Sequence, residues 1–151
     1  MAAITGNAPY ARADGYSTVH SIDLSGHRPE LPDRCGVRYG AELTLAVHFT
    51  PTRNARELRA EVTLTDTLGH TAPVPHGVPP DPAAAGVSCP MTAGKHYTYR
   101  GLVRTLPANY PRLMSSIRMF REPLHQDLTW TLTDDSGAIA VRVLVPMTFE
   151  P

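Results

Sequence analysis

The chain has 151 residues, 42% of them hydrophobic and 19% charged, with a formal net charge of +0. That length and apolar content suit one folded domain and exclude a disordered chain. A balanced charge offers no basic excess to neutralise phosphates, and no apolar run approaches the ~20 residues of a membrane helix, so neither nucleic-acid binding nor stable membrane insertion is expected.

Residues 1–17 are small, polar and unpatterned and are expected to form a loose N-terminal lead-in to a single domain over 18–151. Residues 18–24 then alternate apolar and polar side chains, the pattern of a half-buried strand. Residues 26–36 hold two prolines and predict a loop. The clearest strand covers 42–50, where Leu43, Leu45, Val47 and Phe49 share one face and Pro51 ends the run for want of a ladder N–H. Residues 58–65 repeat the pattern, with Leu58, Ala60, Val62 and Leu64 on one face and Arg59, Glu61, Thr63 and Thr65 on the other. Residues 72–86 are dense in proline, glycine and alanine and predict a stiff, irregular segment.

A further strand is expected within 95–103, around Tyr97 and Tyr99, and a short helix over 113–120, stopped before Pro123. Residues 128–133 alternate again. The turn signal Asp134-Asp135-Ser136-Gly137 leads into a last strand over 138–145, extended by 146–149, so this pair forms a hairpin. The two adjacent aspartates point apart on such a hairpin and serve the turn, not paired acid–base chemistry. The pattern predicts an all-β fold: an Ig-like antiparallel β-sandwich of about seven strands.

One succession of residues is more specific than its pattern. Cys89-Pro90-Met91, Lys95-His96-Tyr97-Thr98-Tyr99, Leu106, Tyr110-Pro111, Trp130-Thr131-Leu132-Thr133-Asp134-Asp135 and Val143-Leu144-Val145-Pro146 follow in that order. This resembles the ML family of lipid-recognition domains, and within it the Niemann-Pick type C2 sterol-transfer proteins, over residues 18–149. The resemblance implies a sandwich whose sheets splay apart to leave an apolar cavity for a lipid or sterol. Sheets normally pack about 10 Å apart, so separation at one edge turns their inward faces into a tunnel that needs few polar groups.

Carried over by position, the resemblance makes Tyr110 a tunnel-mouth residue, with Leu106 beside it and Pro111 following, and makes Trp130 an inward residue on its strand. The family's entrance phenylalanine falls near Pro75, so that contact is expected to be changed or moved to Val74 or His76. Val62, in the apolar set of residues 58–65, and Val143, in the last strand, complete the expected ligand-binding set.

The chain departs from the family in two respects. Cys35 and Cys89 match members of two different family disulfides; the position of one lost partner lies near Ala83, and the family's terminal bridge is absent near His20 and Arg142. Both are therefore expected to remain thiols, a new Cys35–Cys89 bridge being the alternative. With no basic-then-apolar start resembling a signal peptide, this favours a cytoplasmic location. Lys95 is the only lysine among 14 basic residues, and alanine, proline and glycine abound, as in a high-GC bacterial genome. The second departure is an extra segment around 114–127, expected either to form a lid over the entrance or to be a surface loop.

No Gly-x-Ser-x-Gly, Gly-x-Gly-x-x-Gly, Walker or His-Glu-x-x-His motif occurs. The seven histidines, His20, His27, His48, His70, His76, His96 and His125, lack close metal-ligand spacing, so neither metal nor cofactor is expected. His48 and His96 are expected to point outward from strands. His76, Glu122, His125 and Asp127 are catalytic candidates that could give an apolar pocket a polar end, the alternative being solvated loop residues. The favoured function is an intracellular carrier or sensor for an apolar small molecule: a lipid, sterol, terpenoid or polyketide. The alternatives are a metal-free cyclase or isomerase of natural product biosynthesis using the same pocket, and a ligand-free interaction module.

Overall fold

Side chains that alternate with period two can bury one face only by forming strands, and the long runs of this chain do so. A computed structural model describes residues 11–26, 35–38, 40–66, 69, 71–73, 82–104 and 124–150. Among these lie nine strands: β1 (Arg12–Asp14), β2 (Thr18–Ser25), β3 (Cys35–Arg38), β4 (Glu42–Thr50), β5 (Leu58–Asp66), β6 (Thr71–Pro73), β7 (Tyr97–Arg104), β8 (Leu124–Asp134) and β9 (Ile139–Glu150). A 3₁₀ turn spans Pro82–Ala85.

One sheet has the order β1-β9-β8-β5-β6, with β3 also paired to β9, and the other has the order β2-β4-β7. Strand β3 runs parallel to β9, with Cys35 opposite Met147, while β1 pairs antiparallel with an earlier stretch of β9, where Ala13 faces Val143. The all-β, Ig-like sandwich expected from the pattern is therefore present. It holds more strands than the anticipated seven because β1, β3 and β6 have only three or four residues each. Such short pieces carry too little alternation to be recognised alone. They are extended because a neighbour's ladder offers partners for their backbone groups.

Register decides which faces meet. On β4, Leu43, Leu45, Val47 and Phe49 are all fully buried, and on β5, Ala60, Val62 and Leu64 are buried while Arg59 and Glu61 are exposed. The inward residues of both sheets form one hydrophobic core that also includes Leu128, Trp130 and Leu132 of β8. The β8–β9 hairpin turns where expected. The Asp134 carboxylate accepts bonds from the Ser136 N–H at 2.9 Å, the Ser136 hydroxyl at 2.6 Å and the Ala138 N–H at 3.0 Å. Gly137, at φ 86, takes the left-handed conformation that the turn requires. The expected helix over 113–120 and the proline-rich residues 74–81 lie outside the described residues.

Candidate functional site

The interior face of the larger sheet presents a cross-strand row. Val62 of β5 stands opposite Trp130 of β8, and Trp130 stands opposite Val143 of β9. All three are buried, Trp130 and Val143 completely. Three residues assigned to ligand binding from the sequence are thus adjacent, because the β5–β8–β9 register places them side by side. Leu106, Tyr110, Pro111, Val74 and Pro75, assigned to the entrance, lie outside the described residues, as do His76 and Glu122.

From the facing sheet, Tyr99 of β7 packs on Trp130, with ring centroids 4.5 Å apart and ring planes tilted by 42°. Tyr99 is fully buried. Its neighbours on the inward face of β7 are Tyr97 and Val103, which pair with Phe49 and Leu43 of β4. Tyr97 and Phe49 stack at 5.9 Å, and the Tyr97 hydroxyl accepts a bond from the Thr92 N–H at 2.8 Å. Tyr99 differs from Tyr97 in that its hydroxyl has no hydrogen-bond partner, and the Trp130 indole N–H has none either. Burial pushes the Tyr99 hydroxyl pKa up; the nearby indole N–H offsets part of that shift, although the two groups do not meet hydrogen-bond geometry. The local pattern marks Tyr99 as a strand residue and gives it no role in the site. Its contact with Trp130 joins two sheets and leaves no mark on local sequence.

Two polar candidates lie elsewhere. His125 and Asp127 pair with Thr148 and Pro146, on the face of β8 opposite Leu128 and Trp130. The His125 ring nitrogen Nδ1 shares a 2.8 Å hydrogen bond with the Thr148 hydroxyl. Alternation along β8 therefore keeps both away from the interior, and they do not give it a polar end.

The outer face of the smaller sheet gathers three imidazoles that the sequence leaves far apart. His96 stacks with His20 at 5.3 Å and with His48 at 6.0 Å. His48 also shares a 2.9 Å hydrogen bond with the Thr98 hydroxyl, and His20 one of 2.9 Å with that of Thr50. Stacked rings present faces to one another instead of converging lone pairs. No group of three or more His, Cys, Asp or Glu among the described residues is arranged to hold a metal ion.

A surface cleft of ≈ 810 Å³ lies at the far end of β5 and β8, lined by Glu57, Leu58, Arg59, Glu61, Cys89, Thr133, Asp134 and Asp135. Its two aspartates are already engaged. Asp134 accepts the Tyr16 hydroxyl at 2.8 Å, and Asp135 accepts the Arg56 N–H at 2.9 Å. The two aspartates thus point apart, as hairpin geometry predicts. Burial raises the Asp134 pKa, but the bonds from Ser136, Tyr16 and Ala138 outweigh it and hold the carboxyl below its usual range. Cys89 is an exposed thiol and Cys35 a fully buried one, with no disulfide between them.

The fold is shared with a crystal structure of a Niemann-Pick type C2 protein from the Japanese carpenter ant. The match has a TM-score of 0.67 at 15% identity and covers 92% of this chain and 96% of that chain. No curated protein sequence matches the chain. The ML-domain family model matches residues 11–138. A family match over most of the length, on a two-sheet fold with an apolar interior, makes this chain a member of the ML-domain family.

Proposed function

We propose that this protein binds a lipid-like molecule between its two sheets and acts as a carrier or sensor for it inside the cell. The observation that carries this reading is the interior itself. The Val62–Trp130–Val143 row of one sheet faces Tyr99 of the other across an apolar core built from two separate ladders. The inward faces of the two sheets meet in one hydrophobic core, so apolar contact is what a ligand there has to replace. Burying an apolar ligand there contributes roughly 25 cal/mol per Å² before binding costs are subtracted. Membership of the ML family supports the same reading.

The test is native mass spectrometry of purified protein, then organic extraction and identification of bound compounds. Protein stripped of lipid is then titrated with fatty acids, sterols and terpenoids while the emission of Trp130, the only tryptophan, is followed. A defined ligand at one per chain, with altered Trp130 emission, is the expected result. Absence of any co-purified lipid, together with no binding across the panel, would overturn the proposal.

A further inference from the structure

Three unusual features meet at one point in the interior. The Tyr99 hydroxyl and the Trp130 indole N–H are both buried and both without a hydrogen-bond partner. They come from opposing sheets and their rings are in contact. The third feature is Gly101, buried in the middle of β7 on the same face as Tyr99. A Cβ at Gly101 would lie 2.6 Å from the Tyr99 hydroxyl and 2.8 Å from the adjoining ring carbons. The glycine therefore makes the space in which that hydroxyl lies. Glycine inside a strand weakens it, and a buried, unsatisfied donor is costly. Phenylalanine at 99 would fill an apolar core without the second cost, so packing alone does not account for the trio.

We infer that the Tyr99 hydroxyl and the Trp130 N–H form a polar anchor deep between the sheets, which takes the carbonyl or carboxyl oxygen of the bound ligand. This rests on the lipid-binding reading above and names the ligand class: an apolar molecule with an oxygen acceptor at the end that enters first. The chemistry of the two groups selects the acceptor. An indole N–H only donates, a phenol donates readily, and a carbonyl oxygen has two lone pairs to accept both. An alcohol fits less well, because its own proton would be left facing apolar walls. The remainder of the ligand lies against Val62, Val143 and the β4 face.

The test uses delipidated full-length protein and two probes of equal chain length: a long-chain methyl ketone labelled with ¹³C at its carbonyl, and the n-alkane. Affinity is read from Trp130 emission and the carbonyl stretch from isotope-edited infrared spectra. The expected result is about tenfold tighter binding of the ketone than of the alkane, the discrimination of one good hydrogen bond. Its carbonyl band should fall below the position seen in hydrocarbon solvent. In Tyr99→Phe the ketone-to-alkane affinity ratio should collapse towards one and the band should move back up. Gly101→Ala, which keeps the hydroxyl but displaces it, should change the band in the same direction.

Equal binding of ketone and alkane with an unshifted band overturns the anchor and leaves lipid binding intact. A shifted band indifferent to Tyr99→Phe and to Gly101→Ala assigns the hydrogen bond to water and also overturns it. Binding of neither probe, nor of any lipid in the wider panel, removes the lipid-binding reading and the anchor with it. If Tyr99→Phe does not fold, the wild-type band and the Gly101→Ala shift decide the matter.

Discussion

The two cysteines show how far a side chain's chemistry depends on its position. Cys35 opens β3, fully buried against β9, and burial pushes its pKa up to about 11. A thiol so placed is neither ionised nor accessible at neutral pH. Cys89 is exposed at the edge of the surface cleft. Iodoacetamide at pH 8 should therefore alkylate Cys89 alone in native protein and both residues in urea, as peptide mass analysis will show. Early alkylation of Cys35 would mean that β3 detaches from β9 in solution. The same shift has a consequence for stability. The unfolded thiol ionises near 9.0 and the folded one near 11, so the stabilisation from the buried neutral thiol is complete below the first value and is lost between the two. Cys35→Ala should flatten that part of the alkaline unfolding curve.

At the scale of elements, the long strands were legible in the sequence. Residues 42–50 were predicted as a strand, and β4 occupies Glu42–Thr50, because four apolar residues at period two leave no other way to bury one face. Strand β8 begins earlier than its alternation suggests, at Leu124, since pairing with both β5 and β9 extends it. The short strands were hidden: Arg12–Asp14 lies in the segment expected to be a lead-in and Cys35–Arg38 at the end of the expected loop. Each is recruited by β9, with an Arg142–Asp14 ion pair at 2.8 Å helping to hold the first.

The β8–β9 turn was legible from Asp134 to Gly137, but its tie to Tyr16 was not, because those residues meet only after β1 docks. Asp134→Ala removes the hydroxyl bond and three turn bonds together. It should cost about 1 kcal/mol near neutral pH, the partial exposure of the site keeping the figure low. The folded pKa of Asp134 lies below its ordinary value, so its contribution is complete above the unfolded pKa and is lost as pH falls through the folded one. Urea unfolding should show the wild-type and Asp134→Ala curves converging below about pH 4. A gap that persists into strong acid would mean that Asp134 acts through shape and not charge.

For the whole molecule, the two-sheet design predicts strong linkage between ligand and fold. A ligand held between the sheets contacts both, and the unfolded chain offers no such site. At a hundred times its Kd it should add about 2.7 kcal/mol, raising Tm by roughly 5–11 °C in a domain of this size. Scanning calorimetry with increasing ligand checks this. A bound lipid that leaves Tm unchanged would bind the unfolded chain as well as the folded one, and its site would then not require the two sheets.

The sequence by itself determined the all-β class, the inward faces of β4 and β5, the position of the β8–β9 turn and the family resemblance, since alternation and turn chemistry are local properties of neighbouring residues. It also named Val62 and Val143 and, through the family resemblance, Trp130 as ligand-binding residues. Only the tertiary structure decided that these three form one row, that Tyr99 meets Trp130 from the other sheet, and that His125 and Asp127 lie outside. Those facts depend on strand register and on the way two sheets stack. A single residue's slip in register would reverse every face, and the contacts that fix register join residues far apart along the chain.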